Sequence, residues 1–296
     1  CASGSASVND GSYLSKLLAN ALEGIVVGLD DADLLLRAIK LRENLGTAED
    51  LEVVSDLVER AEIVARTDGD TALRIAIRYW NSARSDKSIE ILDEAQLEAR
   101  PEERLNLLAN SLVLATLDGA DDLDERLRLF EKLASDPSVD PRLRDVNQQI
   151  LALSRIASKQ APDEADVVSA YTIAAAIPTN FLIQTMFGDI LEAAGRPLVA
   201  AETWERASQL VGHASIPVGR RAVRGLLDLQ SVDRAFEEAV RFVSASQSVA
   251  SIISLSEAWL ALEASGMKAR DVTPQFDTWD SPLEMLEAMR GSLEEN

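Results

Sequence analysis

Apolar residues in this chain recur at a spacing of three and four almost from end to end, and that single pattern restricts the fold more than anything else. The segments SKLLANALEGIVVGL, LLLRAIKLRENL, AEDLEVVSDLVERAEIVA, ALRIAIRYW, ERLNLLANSLVLATL, LDERLRLFEKLA and DVNQQILALSRIA each carry it, as an amphipathic helix requires. No run of alternating β-branched residues competes, so strands are expected to be nearly absent. Breaks fall near Gly46, Thr67 to Gly69, Asp118 to Ala120, Asp136 to Pro141, Pro162, Pro178, Gly195, Gly212 to Pro217, Gly266 and Pro274. Helix starts agree with them. Thr47-Ala48-Glu49-Asp50 puts acid in a first turn, Pro101-Glu102-Glu103 puts proline at a first helical position, and Ser281-Pro282-Leu283-Glu284 reads as a capping box. Helices joined by short connections pack antiparallel, so the expected fold is all-α, built from helical hairpins. The most apolar window, SVASIISLSEAWLALEASG, reads as a buried core helix.

Composition narrows the possible work. The 296 residues are 47% hydrophobic but only 4% aromatic, with a net charge of -21 and a pI near 4.4. A surface so acidic lacks the concentrated basic patch that phosphate backbones need, and it disfavours docking on anionic headgroups. It fits a solvated surface kept soluble by self-repulsion, a saline habitat, or a basic partner. The single cysteine leaves no internal disulfide and no cysteine-based zinc site. No stretch of apolar residues is long enough to span a bilayer.

Hairpins in series raise the question of repeats. One stretch, QTMFGDILEAAGRPLVAAETWERASQL, resembles a tetratricopeptide repeat. Phe187-Gly188, Leu191, Gly195, Ala200, Trp204 and Ala207 stand at that pattern's spacing, with departures at Gln184, where a large aromatic is usual, and Gly212, where proline is. Small residues at Gly188 and Ala200 let two helices approach, Gly195 makes the turn, and Leu191 and Trp204 fill the space between hairpins. The neighbours are looser: RAVRGLLDLQSVDRAFEEAVRFV keeps Ala235 and Ala239, and Phe130 suits a second-helix aromatic. The resemblance implies a stacked α-solenoid whose extended concave surface binds peptides, helices or whole subunits.

Cys1-Ala2-Ser3-Gly4-Ser5 resembles the mature start of a bacterial lipoprotein. That likeness implies a covalent lipid on Cys1, a small-residue tether, and an envelope location; Ala2 in place of Asp implies an outer membrane, facing the periplasm or the cell surface. Acyl chains contribute about 0.8 kcal/mol per buried CH₂, and two or more anchor stably.

Residues that carry chemistry are sparse. His213, the only histidine, must serve any serine- or cysteine-based relay, and it reads instead as a loop residue after a helix end. No phosphate-cradling glycine motif occurs. DGADDLDE lacks the order of a calcium loop; it, GLDDADLLL and RTDGDTAL read as acids capping helices. No catalytic residue, metal site, cofactor beyond the lipid, or small-molecule substrate is expected. Trp80, Trp204 and Trp259 read as core. Phe276 and Trp279, in TPQFDTWDSP, read as a loop staple or as an exposed anchor for a partner.

The expected organisation is a lipid-anchor tether over 1–10, degenerate hairpins over 11–140, tetratricopeptide-like repeats over 141–270, and a loop with a C-terminal capping helix over 271–296. The expected function is a lipid-anchored scaffold or assembly factor that binds protein partners of the envelope. A fixed accessory subunit of a membrane or surface complex is the alternative.

Overall fold

The computed structural model describes residues 18, 20, 32–45, 48–136, 139–246 and 248–272. Cys1, the tether over 1–10, Phe276, Trp279 and the expected C-terminal helix lie outside the described residues. Among the described residues the chain is all-helical, with consecutive helices packed in series as in a helical-repeat solenoid. The helices are α1 (Ala32–Leu45), α2 (Ala48–Ala65), α3 (Gly69–Asn81), α4 (Ser85–Glu98), α5 (Pro101–Asp118), α6 (Leu123–Ala134), α7 (Pro141–Ala157), α8 (Glu164–Ala176), α9 (Phe181–Ala193), α10 (Pro197–Leu210), α11 (Ile216–Asp228), α12 (Val232–Ser246), α13 (Val249–Ala264) and the short α14 (Ala269–Val272).

Local chemistry sets the boundaries. Asp68 caps α3 by accepting from the Thr71 amide at 3.0 Å. Asp163 and Asp166 form a capping box at α8, and Ser248 and Ser251 form one at α13. The start of α3 is also held from outside: its Gly69 amide donates to Glu103 Oε1 of α5 at 2.9 Å. Gln184, the departure from the repeat pattern, is buried and donates to Ala174 O at 2.9 Å, satisfying a carbonyl in the last turn of α8.

The odd-numbered helices from α3 to α9 form an inner layer, each packed on the next odd helix as well as on its hairpin neighbours, and α11 packs likewise on α13. Two further pairings curl this layer on itself: α5 against α9, and α3 against α11. Side chains mark the seam. The rings of Trp80 on α3 and Phe181 on α9 lie 6.1 Å apart, and Arg221 of α11 donates to Leu117 O of α5 at 2.8 Å. The inner face is therefore largely filled by the protein's own helices, and the expected extended concave groove is closed over this stretch. One apolar cluster runs from Leu35 on α1 to Ala222 on α11, and a second continues through α12 and α13.

Two hairpin turns contain neither glycine nor proline; the one at α3–α4 escapes sequence reasoning, while the one at α11–α12 is the shortened turn of the RAVRGLLDLQSVDRAFEEAVRFV hairpin. At α3–α4 the chain turns through Ala83 at φ 56°, and at α11–α12 through Gln230 at φ 58°. Left-handed backbone costs an L-residue about 1–2 kcal/mol, which glycine avoids. Ala83→Gly is expected to raise stability by up to about 1 kcal/mol, read as a higher urea midpoint with unchanged slope. A lower midpoint would contradict the assigned turn.

The apolar window over α13 is not wholly buried. Leu255, Ala258, Trp259 and Leu262 are core, but Val249, Ile253 and Leu260 are exposed at 76%, 52% and 60%. These three residues fall on one line of the helix surface. Among the described residues α13 is the last long helix.

Candidate functional site

The residues that carry the repeat likeness converge, as the spacing requires, on the α9–α10 hairpin. Gly195 makes its turn at φ 74°. Phe187, Leu191, Ala200, Trp204 and Ala207 are all buried. Phe187 also meets the ring of Tyr171 on α8, 6.2 Å away. Gly188 accommodates an indole more than it accommodates a backbone: a β-carbon there would run into Nε1 and Cδ1 of Trp204. At the other edge of the same indole a β-carbon on Gly225 would stand 3.0 Å from Cε3 and Cζ3. Trp204 is thus wedged between α9 and α11.

A polar node secures the wedge. Trp204 Nε1 donates to Asp189 Oδ1 at 3.0 Å. Arg221 grips both oxygens of the same carboxylate, at 2.9 and 3.1 Å, while reaching Leu117 O. Burial pushes the Asp189 carboxyl up from its ordinary value, against the opposing pull of Arg221 and the indole N–H. The node joins α5, α9, α10 and α11 and is structural; none of the repeat-defining side chains lies open to a partner.

His213 sits at φ 60° just past α10. Ser208 Oγ at 3.1 Å and Glu238 Oε1 at 2.9 Å both approach the same ring nitrogen, Nδ1. A serine relay needs the nucleophile on one nitrogen and the carboxylate on the other. This arrangement ties a buried glutamate to a turn and does not activate Ser208.

An acidic cleft of about 820 Å³ lies between α4 and the α5–α6 connection. Asp86, Glu90, Asp93 and Glu94 line it from α4, and Asp118, Asp121 and Asp122 from the connection. Ile89 and Leu97 supply apolar lining, and Leu97 is 78% exposed. Among the described residues no group of three or more acids is arranged to hold a metal ion.

Arg126 builds one wall. It meets Asp93 at 2.7 and 2.8 Å, Asp122 at 3.0 Å and Ser111 Oγ at 2.7 Å. Ser111 in turn donates to Asp93 at 2.9 Å. Asp122 was expected to cap α6, but its side chain makes no cap bond and pairs with Arg126 instead. That pairing holds its carboxyl below the ordinary value. A depressed folded value means that the stabilisation is present above the unfolded value and lost as pH falls through the folded one. Asp122→Asn is therefore expected to shallow the acid side of a stability–pH curve, by under about 1 kcal/mol because the side chain is half exposed. Unchanged acid sensitivity would contradict the pairing.

Sequence reasoning read the acids as caps and so missed the cleft. Its elements are Asp93, Arg126 and Leu97, on two helices brought together by tertiary packing. The only sequence trace is Leu97 itself, an apolar residue among Glu94, Gln96, Glu98 and Arg100.

No protein-family model matches the chain, and no curated protein is significantly similar to it. Among the described residues no helix is long and apolar enough to cross a membrane.

Proposed function

We propose that this chain is a protein–protein interaction scaffold and that its partner inserts a cationic, amphipathic segment into the cleft between α4 and the α5–α6 connection. The carrying observation is the cleft's pattern: seven carboxylates, one arginine already committed to two of them, and Leu97 exposed among them. Complementary charge speeds encounter and selects the partner, while Leu97 and Ile89 offer apolar contact. The likeness of Cys1-Ala2-Ser3-Gly4-Ser5 to lipoprotein starts supports display of this surface on an envelope membrane through a lipid on Cys1. Mass spectrometry of the N-terminal peptide from native membranes tests that part separately.

The docking test is a mild-detergent pull-down of the native protein beside Glu90→Arg/Glu94→Arg. Both side chains are exposed, so the double variant is expected to fold. The wild type is expected to retain a partner that raised salt releases and that the variant fails to capture. Equal capture by the variant would overturn the cleft assignment.

A second reading, a fixed accessory subunit, is favoured by the exposed stripe of Val249, Ile253 and Leu260. Its partner would survive high salt, because burial of apolar surface is not screened.

A further inference from the structure

We infer that a second cleft, formed where α11 meets α13 and the α3–α4 turn, binds a compact oxyanion: a phosphate or carboxylate group. This goes beyond the docking reading and uses the opposite side of the α5 C-terminal turn, with Asp118 standing between the two clefts. The cleft has a volume of about 590 Å³. Arg220, Arg221 and Arg224, from the second and third turns of α11, line it in a chain whose net charge is -21.

The three arginines differ in their commitments. Arg221 is held by Asp189 and Leu117 O. Arg220 is exposed and has no partner among the described residues. Arg224 is exposed and has only Asp228, at a loose 3.8 Å. Two donors therefore face the cleft with their hydrogen-bonding capacity largely unused.

Independent polar groups point to the same kind of ligand. Ser254 lines the cleft, is only 5% exposed, and its hydroxyl has no partner. Ser85 lines it from the first position of α4, also without a partner. The starts of α4 and α11 both border the cleft, and neither Arg84 nor Ser215 puts its side chain on the first-turn amides; Pro217 has no N–H, so α4 supplies more of the free amides. Helix starts carry partial positive charge and spare N–H groups that suit an oxyanion.

Asp118, Asp228 and Glu257 line the same cleft and are exposed. They limit the ligand to a small group seated between the arginines and the serines. An extended polyanion would meet all three carboxylates and the acidic surface beyond.

The test is isothermal titration with inorganic phosphate and, separately, with succinate, at ionic strength matched with sodium chloride. Saturable binding of either probe is expected; phosphate alone or succinate alone identifies the source of the group. Arg220→Ala/Arg224→Ala should weaken that binding by about tenfold or more, as loss of charge-assisted hydrogen bonds does. Neither substitution removes a buried contact, so the fold should persist. Arg206→Ala, an exposed arginine on α10, should bind as wild type does. No saturable binding of either probe, or equal binding by the double variant, would overturn the assignment.

Discussion

Trp204→Ala is expected to lower the free energy of unfolding by about 3–5 kcal/mol, the scale of aromatic truncation in a packed core. Three losses coincide. The indole is wedged between Gly188 and Gly225, two positions with no side chain that could collapse into the gap. Its N–H to Asp189 disappears, leaving a carboxylate whose burial already disfavours its charge with only Arg221 as a charged partner. The contact between α9 and α11 loses its filler. Gly188→Ala attacks the same contact from the opposite side, by overfilling, at about 1–3 kcal/mol. Because both changes act on one contact, their combination should cost less than their sum. Chemical denaturation of the single and double variants measures this. Strict additivity would place the indole elsewhere.

Asp50→Ala is expected to cost about 3–5 kcal/mol, because it takes a 2.6 Å carboxylate contact away from a buried guanidinium. Arg42 Nη1 and Asp50 Oδ1 are 2.6 Å apart, with side chains 6% and 2% exposed, joining α1 to α2. Arg42 also donates to Asn20 Oδ1 at 2.6 Å. The informative companion is Arg42→Met/Asp50→Leu. Desolvating two charges offsets much of their attraction, so replacing both with apolar groups should cost far less than removing one, and it can stabilise. If the double replacement is as damaging as Asp50→Ala alone, the pair contributes more than it costs to bury.

Most helix boundaries were legible because they use strong local signals. Proline at 101, 141, 197 and 217 stands at the first or second helical position, and Gly119, Gly195, Gly212 and Gly266 all take positive φ at helix ends. The missed turn at Ala83 and the shortened one at Gln230 use the same left-handed backbone without the residue that advertises it. Trp80, Trp204 and Trp259 fell in the core as their periods indicated. The repeat spacing marked Gly188 as a position of close approach, with Ala200 as its counterpart; the group that it admits is the Trp204 indole. It could not show that Arg221 would close the layer, because that contact joins residues 104 positions apart. The acidic cleft was illegible for a related reason. In a chain with 50 acids, the seven that face one another are distinguished only by which helices meet.

The seam that joins α3 to α9 and α11, and α5 to α9 and α11, has a mechanical consequence. An open solenoid behaves as a spring: each repeat leans on its neighbours, and the array can stretch or unzip from an end. Here Trp80 on Phe181, and Arg221 on Leu117 O, staple distant coils of that spring to one another. The central coils are thereby deprived of stepwise loosening. They yield together or not at all, and the domain presents its clefts on a stiff body whose shape changes little under load.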